Sequence, residues 1–310
     1  MRSTQLEHKL ERIPVIRNFV RLGKRIRLPY SDGLTLYHLL ELYITGIVDG
    51  DISYRAGAIA FTFFMSLFPF ALFILNLIPY IPLENFQEDF MQFVADNVPP
   101  NTYDAIANIL TDILMNSHKS LLSTGILLAI LFMSNGVNAI LSGFQSSMHI
   151  TVKRTYFHRY AIAIALSLLL TVLLIITVSA IIVFEVIIRQ LSNHYYIPAE
   201  VQLLQIGRYA FLILMILLTT SILFKFATTE SRRHTSFFSY GSVFSTVLFG
   251  LTSYGFSIYV ERFSKYNQLY GSIGTLLVLM LYIYINCFIL LLGFELNALI
   301  HKLKRKNLYI

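Results

Sequence analysis

The chain lacks tryptophan, has one cysteine and carries little charge. Of its 310 residues, 13% are Asp, Glu, Lys or Arg, against about 25% in an ordinary soluble domain. That shortage leaves too few charges to cover a water-facing surface of this size and argues against a soluble enzyme of two ordinary domains. It also excludes disorder, which requires high charge and low hydrophobicity. The lone Cys287 excludes a disulfide framework and any multi-cysteine zinc or iron–sulfur site. What is abundant is apolar: 56% of the residues are hydrophobic, so the bilayer is the expected solvent.

The charge-free stretches run from 56 to 83, 120 to 152, 160 to 184, 209 to 224, 234 to 260 and 266 to 294. A helix crossing about 30 Å of hydrocarbon needs roughly 20 apolar residues. Five stretches exceed that, and the fourth is completed by the long stems of Arg208 and Lys225, which can reach the interface. The expectation is an all-α integral membrane protein with six transmembrane helices, at about 56–78, 121–143, 161–184, 207–227, 238–260 and 272–294 within a membrane domain of 55–300. The segment 1–54 is basic and shows no apolar run of signal-peptide length, so no cleavage is expected. A basic tail, 301–310, closes the chain.

With six spans both termini share one side, and 19 of the 24 Lys and Arg residues fall on that side. The positive-inside rule makes it cytoplasmic. The net charge of +7 then reflects topology and attraction to membrane lipids with anionic head groups, and no nucleic acid is expected as a partner. Leu34, Leu36, Tyr37, Leu40, Tyr43, Ile44, Ile47 and Val48 recur at helical spacing, which predicts an interfacial amphipathic helix over 34–50. The connection 79–120 carries six carboxylates against Lys119. Its apolar positions predict two helices, broken at Pro99 and Pro100, forming an external cap between spans 1 and 2.

The segment Asp51 to Pro69 (DISYRAGAIAFTFFMSLFP) resembles the first-span signature of the YihY / virulence factor BrkB family of bacterial membrane proteins. The stretches Tyr270 to Gly274 (YGSIG) and Leu292 to Ala298 (LGFELNA) are similar to its C-terminal pattern. The resemblance implies a six-helix protein of the bacterial cytoplasmic (inner) membrane with both termini inside. It implies an envelope-related role with proposed transport, and it implies no chemistry. The family's old ribonuclease BN label finds no support in the residues. The eight histidines are scattered singly without ligand-like spacing, and a metal-dependent nuclease needs clustered ligands. No catalytic residues, metal site or cofactor are expected, and the absence of a G-x-x-x-x-G-K-[ST] loop argues against ATP-driven transport by this chain.

Polar groups inside the spans are the remaining candidates, since each must be satisfied by protein or cavity water. Ser134, Asn138 and Ser142 follow an i, i+4, i+8 spacing with Asn135 and Gln145 nearby. Tyr282, Asn286, Gly293 and Asn297 lie within about 60° of one another on an ideal helix. Both stripes are expected to face inward, either as interhelical hydrogen bonds or as the lining of a polar cavity. Arg55 opens the first span and Glu295 ends the sixth on the same side, which predicts an ion pair that an exchange of the two charges would preserve. Glu185 and Arg189 are four apart on one helix with Arg208 opening the next span nearby, and the spacing favours a local helix pair. Pro69 should kink the first span by removing the bond to the Met65 carbonyl, with Ser66 placed to compensate. Ser242, Thr246 and Gly250 form a small-residue stripe for close helix approach.

Two functions are carried forward. The leading one is a transporter or lipid-handling protein of the cell envelope, acting on an amphipathic envelope molecule. The alternative is a non-transporting membrane scaffold that organises partners through its basic surface and acidic cap.

Overall fold

The computed structural model describes residues 42–47, 50–77, 86–97, 119–147, 154–194, 198–227, 237–270 and 272–307, with isolated positions between 103 and 150. The N-terminal segment up to 41, most of the second cap helix and the Arg189 side chain lie outside the described residues. Among the described residues the main helical elements are α1 (Ile52–Leu77), α2 (Phe86–Asn97), α3 (Lys119–Gln145), α4 (Tyr156–His194), α5 (Pro198–Ala227), α6 (Tyr240–Tyr270) and α7 (Ser272–Asn307). A short helical stretch at 42–47 precedes α1. Among the described residues, five helices, α3 to α7, contain segments long and apolar enough to cross a membrane. Their outer faces carry exposed large apolar residues, such as Val243, Val247, Leu251 and Tyr254 on α6, the inverse of a water-soluble surface.

The six long helices close into a ring in the order α1, α3, α4, α5, α6, α7 and back to α1. Small residues set the tightest contacts. A methyl group on Gly136 of α3 would meet Ser66 Oγ of α1, and one on Gly143 would meet Ile59. The α6–α7 approach is closer still, because a methyl on Gly241 or Gly293 would strike the other's carbonyl oxygen. This moves the small-residue face of α6 away from the expected stripe. Ser242 and Thr246 are buried, but Gly250 faces open space, and Gly241 and Ser245 make the seam with Gly293.

A turn with a non-glycine residue at positive φ also shapes the entry to the bundle. The Gly50 amide donates to the Gly46 carbonyl at 3.1 Å, and Asp51 adopts φ 48° before α1 begins. Asp is among the few non-glycine residues that tolerate this region. At the far end Phe86 of α2 is buried with Leu114 and Ile182, against Leu75, Val178 and Val186, so α2 rests on α4. Glu185 of α4 pairs with Arg208 of α5. This contact crosses between helices, and the expected local partner, Arg189, has its side chain outside the described residues.

Candidate functional site

Arg55 begins one turn into α1 and is 8% exposed, so its charge must be met by protein. Its Nη1 lies 2.9 Å from Glu295 Oε1 on α7. Nη1 also donates to the Gly50 carbonyl at 3.1 Å, while Nε and Nη2 both donate to the Gly143 carbonyl of α3, at 3.0 and 2.5 Å. Gly143 lies in the last turn of α3, where carbonyls lack intrahelical partners and the helix dipole is negative. The guanidinium thus closes that helix end. Arg154 treats α5 the same way, donating to the Phe226 carbonyl at 2.5 Å.

Glu295 is 1% exposed and uses its second oxygen to accept from Ser147 Oγ at 2.6 Å. Tyr43 donates to the Leu292 carbonyl at 2.8 Å. Burial pushes its phenol well above the ordinary value of 10.0, and the Glu295 charge adds to the shift. One charged centre therefore ties the 42–47 stretch, α1, α3 and α7 at one end of the ring. Above it lies an aromatic floor. Phe144 stacks on Phe294 at 4.3 Å between centroids, and Phe224 meets both edge-on at 5.6 and 5.9 Å.

One turn beyond that floor, between the helices of the ring, is a cavity of about 440 Å³. All six long helices contribute, among them Phe63 (α1), Val137 (α3), Leu170 (α4), Met215 (α5), Phe249 (α6) and Leu290 (α7). Ser66, Thr177, Thr219 and Thr220 also line it. Each of these hydroxyls bonds a carbonyl of its own helix, at residues 62, 173, 215 and 216 respectively. The interior is therefore effectively hydrocarbon. Ser66 bonds Thr62 and Phe63 rather than the Met65 carbonyl, so its expected compensation for Pro69 is corrected. Helical backbone runs through Pro69 without a break.

None of the residues of the two polar stripes is among those lining this cavity. Ser134 is fully buried and lies 3.1 Å from Ser167 Oγ of α4. Asn138 accepts from Arg159 at 2.9 Å, and Asn135, exposed, accepts from Tyr160 at 3.1 Å. The Ser142 carbonyl accepts from the Ser146 amide and hydroxyl. Tyr282 meets Ser253 of α6 at 3.0 Å, and Asn286 donates to the Tyr282 carbonyl at 2.7 Å. Asn297 accepts from the Gly241 amide at 2.8 Å and donates to Ser239 Oγ at 2.7 Å, fastening the start of α6. Ser134, Asn135, Asn138, Tyr282 and Asn297 thus join neighbouring members of the ring, whereas the bonds given for Ser142 and Asn286 stay local. Sequence reasoning missed the cavity-lining positions of α5. Thr219 and Thr220 were the available signal, although their hydroxyls are internally satisfied.

The profile of the family described as virulence factor BrkB matches residues 43–308. The chain belongs to that family. Among BrkB relatives, a protein of Bacillus subtilis (strain 168) named putative ribonuclease-like protein YfkH is 30% identical over 81% of this chain and 90% of its own length. A UPF0761 membrane protein of Vibrio campbellii is 24% identical over 80% of this chain and 77% of its own. One from Coxiella burnetii is 21% identical over 78% and 85%. No solved structure matches the chain. The match encloses Tyr43, Arg55, Gly143, Ser147 and Glu295, so the whole charged centre falls within the BrkB region.

Proposed function

We propose that this BrkB protein handles an amphipathic envelope lipid in the bacterial inner membrane, holding its acyl portion in the cavity between the six helices. The observation that carries this reading is the cavity's volume of about 440 Å³ with every hydroxyl among its described lining residues bonded to its own helix, within the range of about 300–1,000 Å³ typical of small-ligand pockets. A hydrated ion or sugar would forfeit its hydrogen bonds there. An acyl chain forfeits none. Hydrocarbon contacts, in place of a polar lining, then select the cargo.

In this reading α1 is the sixth span. Its 26 residues extend about 39 Å at 1.5 Å per residue, and it sits between α3 and α7 in the ring. Arg55 and its polar neighbours lower its overall apolarity at one end only. The charged centre and aromatic floor lie at the end where basic residues accumulate, and the positive-inside rule supports reading that end, with both termini, as cytoplasmic. Ion pair and floor together seal the cavity on that side. Among the described residues no group of three or more His, Cys, Asp or Glu gathers to support the ribonuclease-like name of the Bacillus relative.

The test compares lipids bound to purified protein with those of its source membrane by mass spectrometry, for wild type and for the cavity-filling variants Met215→Trp and Thr219→Phe. Enrichment of particular acyl species in wild type, lost in the variants, is expected. A bound set that mirrors the bulk membrane in all three would overturn the reading.

A further inference from the structure

A second lipid-facing feature lies outside the cavity, where α3 meets the start of α4. Arg159 is half-buried there, and no carboxylate faces it among the described residues. Its guanidinium contacts Asn138 Oδ1 at 2.9 Å, Gln145 Oε1 at 3.5 Å and the Tyr156 ring at 5.7 Å. A guanidinium can only donate, so it turns both carboxamides oxygen-first and leaves their NH2 groups over. The Gln145 Nε2 is buried with no partner. The Asn135 oxygen is likewise engaged, by Tyr160 at 3.1 Å, which leaves its amide nitrogen free on an exposed position. The face thus combines an uncompensated positive charge with surplus donors and no surplus acceptor. The N-terminus of α4, three residues before Arg159, adds positive potential.

Polar groups on the outside of a membrane bundle are costly unless something meets them. On α3, Leu128, Leu131 and Phe132 are exposed and, with Asn135, follow the three- and four-residue spacing of one helix face. An apolar strip therefore runs directly into the donor cluster. Tyr156 and Tyr160 stack at 6.0 Å beside it, as aromatic residues do at the head-group level. We propose that this α3–α4 face binds an anionic phospholipid of the surrounding leaflet, its phosphate on Arg159, Asn138 and Asn135 and its acyl chain along the strip. A donor-only cluster fits an acceptor-only phosphate, and the adjoining strip favours a lipid over a soluble anion. Basic pockets between helices on the cytoplasmic side are suited to such head groups. None of these residues lines the cavity, so this site stands apart from the cargo reading.

Native mass spectrometry of the detergent-purified full chain, given equal phosphatidylglycerol and phosphatidylcholine, reads the preference as a ratio of adducts. Arg159→Gln should lower the preference for phosphatidylglycerol about fivefold, the worth of one basic residue near the surface. Asn135→Leu, on the exposed face, should lower it in the same direction, whereas Lys302→Gln at the same end should leave it unchanged. Excess inorganic phosphate should not displace the lipid. If it does, the occupant is a soluble anion and the proposal fails. An unchanged preference in both Arg159→Gln and Asn135→Leu also overturns it, and if Arg159→Gln does not fold, Asn135→Leu alone decides.

Discussion

Arg55 and Gly143 are joined by two hydrogen bonds, so a guanidinium on α1 caps the C-terminus of α3 while also pairing with Glu295 on α7. This changes what a charge exchange should do. A glutamate at 55 would set a carboxylate against the Gly143 and Gly50 carbonyls, acceptor against acceptor, and an arginine at 295 would lose the Ser147 bond. Arg55→Ala and Glu295→Ala should each destabilise the detergent-solubilised protein by about 3–5 kcal/mol, because each strands a buried charge. The exchanged double variant should not recover. Thermal unfolding monitored by circular dichroism checks this, and recovery to near wild type would show that only the ion pair matters.

How much of this was legible beforehand depends on the residue. Arg55 and Glu295 could be matched because span ends on one side of a bilayer share a depth, and depth is readable from charge-free stretches. Gly143 could not, since a backbone carbonyl leaves no trace in composition. The polar stripes were legible only in part. Helical spacing groups Asn135, Asn138 and Ser142 on one face but does not say whether that face meets a central space or the next helix. In a ring of six, most faces meet a neighbour. The cavity is lined by leucines, phenylalanines and self-bonded threonines that look like any other hydrocarbon surface in a sequence.

The α6–α7 seam separates two glycines that read alike in the sequence. Gly293 has Gly241 and Ser245 against it, and an added methyl would collide with both. Gly293→Ala should cost about 1–3 kcal/mol by overpacking. Gly250→Ala meets nothing and should be neutral or gain up to about 1 kcal/mol of helix propensity. Midpoints of thermal unfolding for the two variants, measured side by side in one detergent, check the contrast.

The hydroxyls that line the cavity are predicted to be dispensable. Thr219 and Thr220 already bond carbonyls one turn back on α5, so they offer a ligand no unmet donor. Thr219→Val and Thr220→Val should leave both the retained lipid species and stability within about 0.5 kcal/mol of wild type. Loss of lipid from either conservative variant, with stability intact, would mean that the cavity recognises a polar group.

Tyr43 makes a prediction at high pH. Its phenol is buried and donates to Leu292, and burial with the nearby Glu295 charge raises its pKa above the 10.0 of a free phenol. The unfolded chain therefore gives up this proton first as pH rises. Stability from Tyr43 is fully present below about pH 10 and is lost as pH climbs from there toward the raised native value. Tyr43→Phe should remove the hydrogen bond, costing about 1 kcal/mol at neutral pH, and should flatten the decline above pH 10. Chemical unfolding followed across pH 8 to 11 for both proteins distinguishes this from general alkaline loss, because the other tyrosines are common to both curves. Parallel curves would mean that Tyr43 is not held neutral against the charged centre.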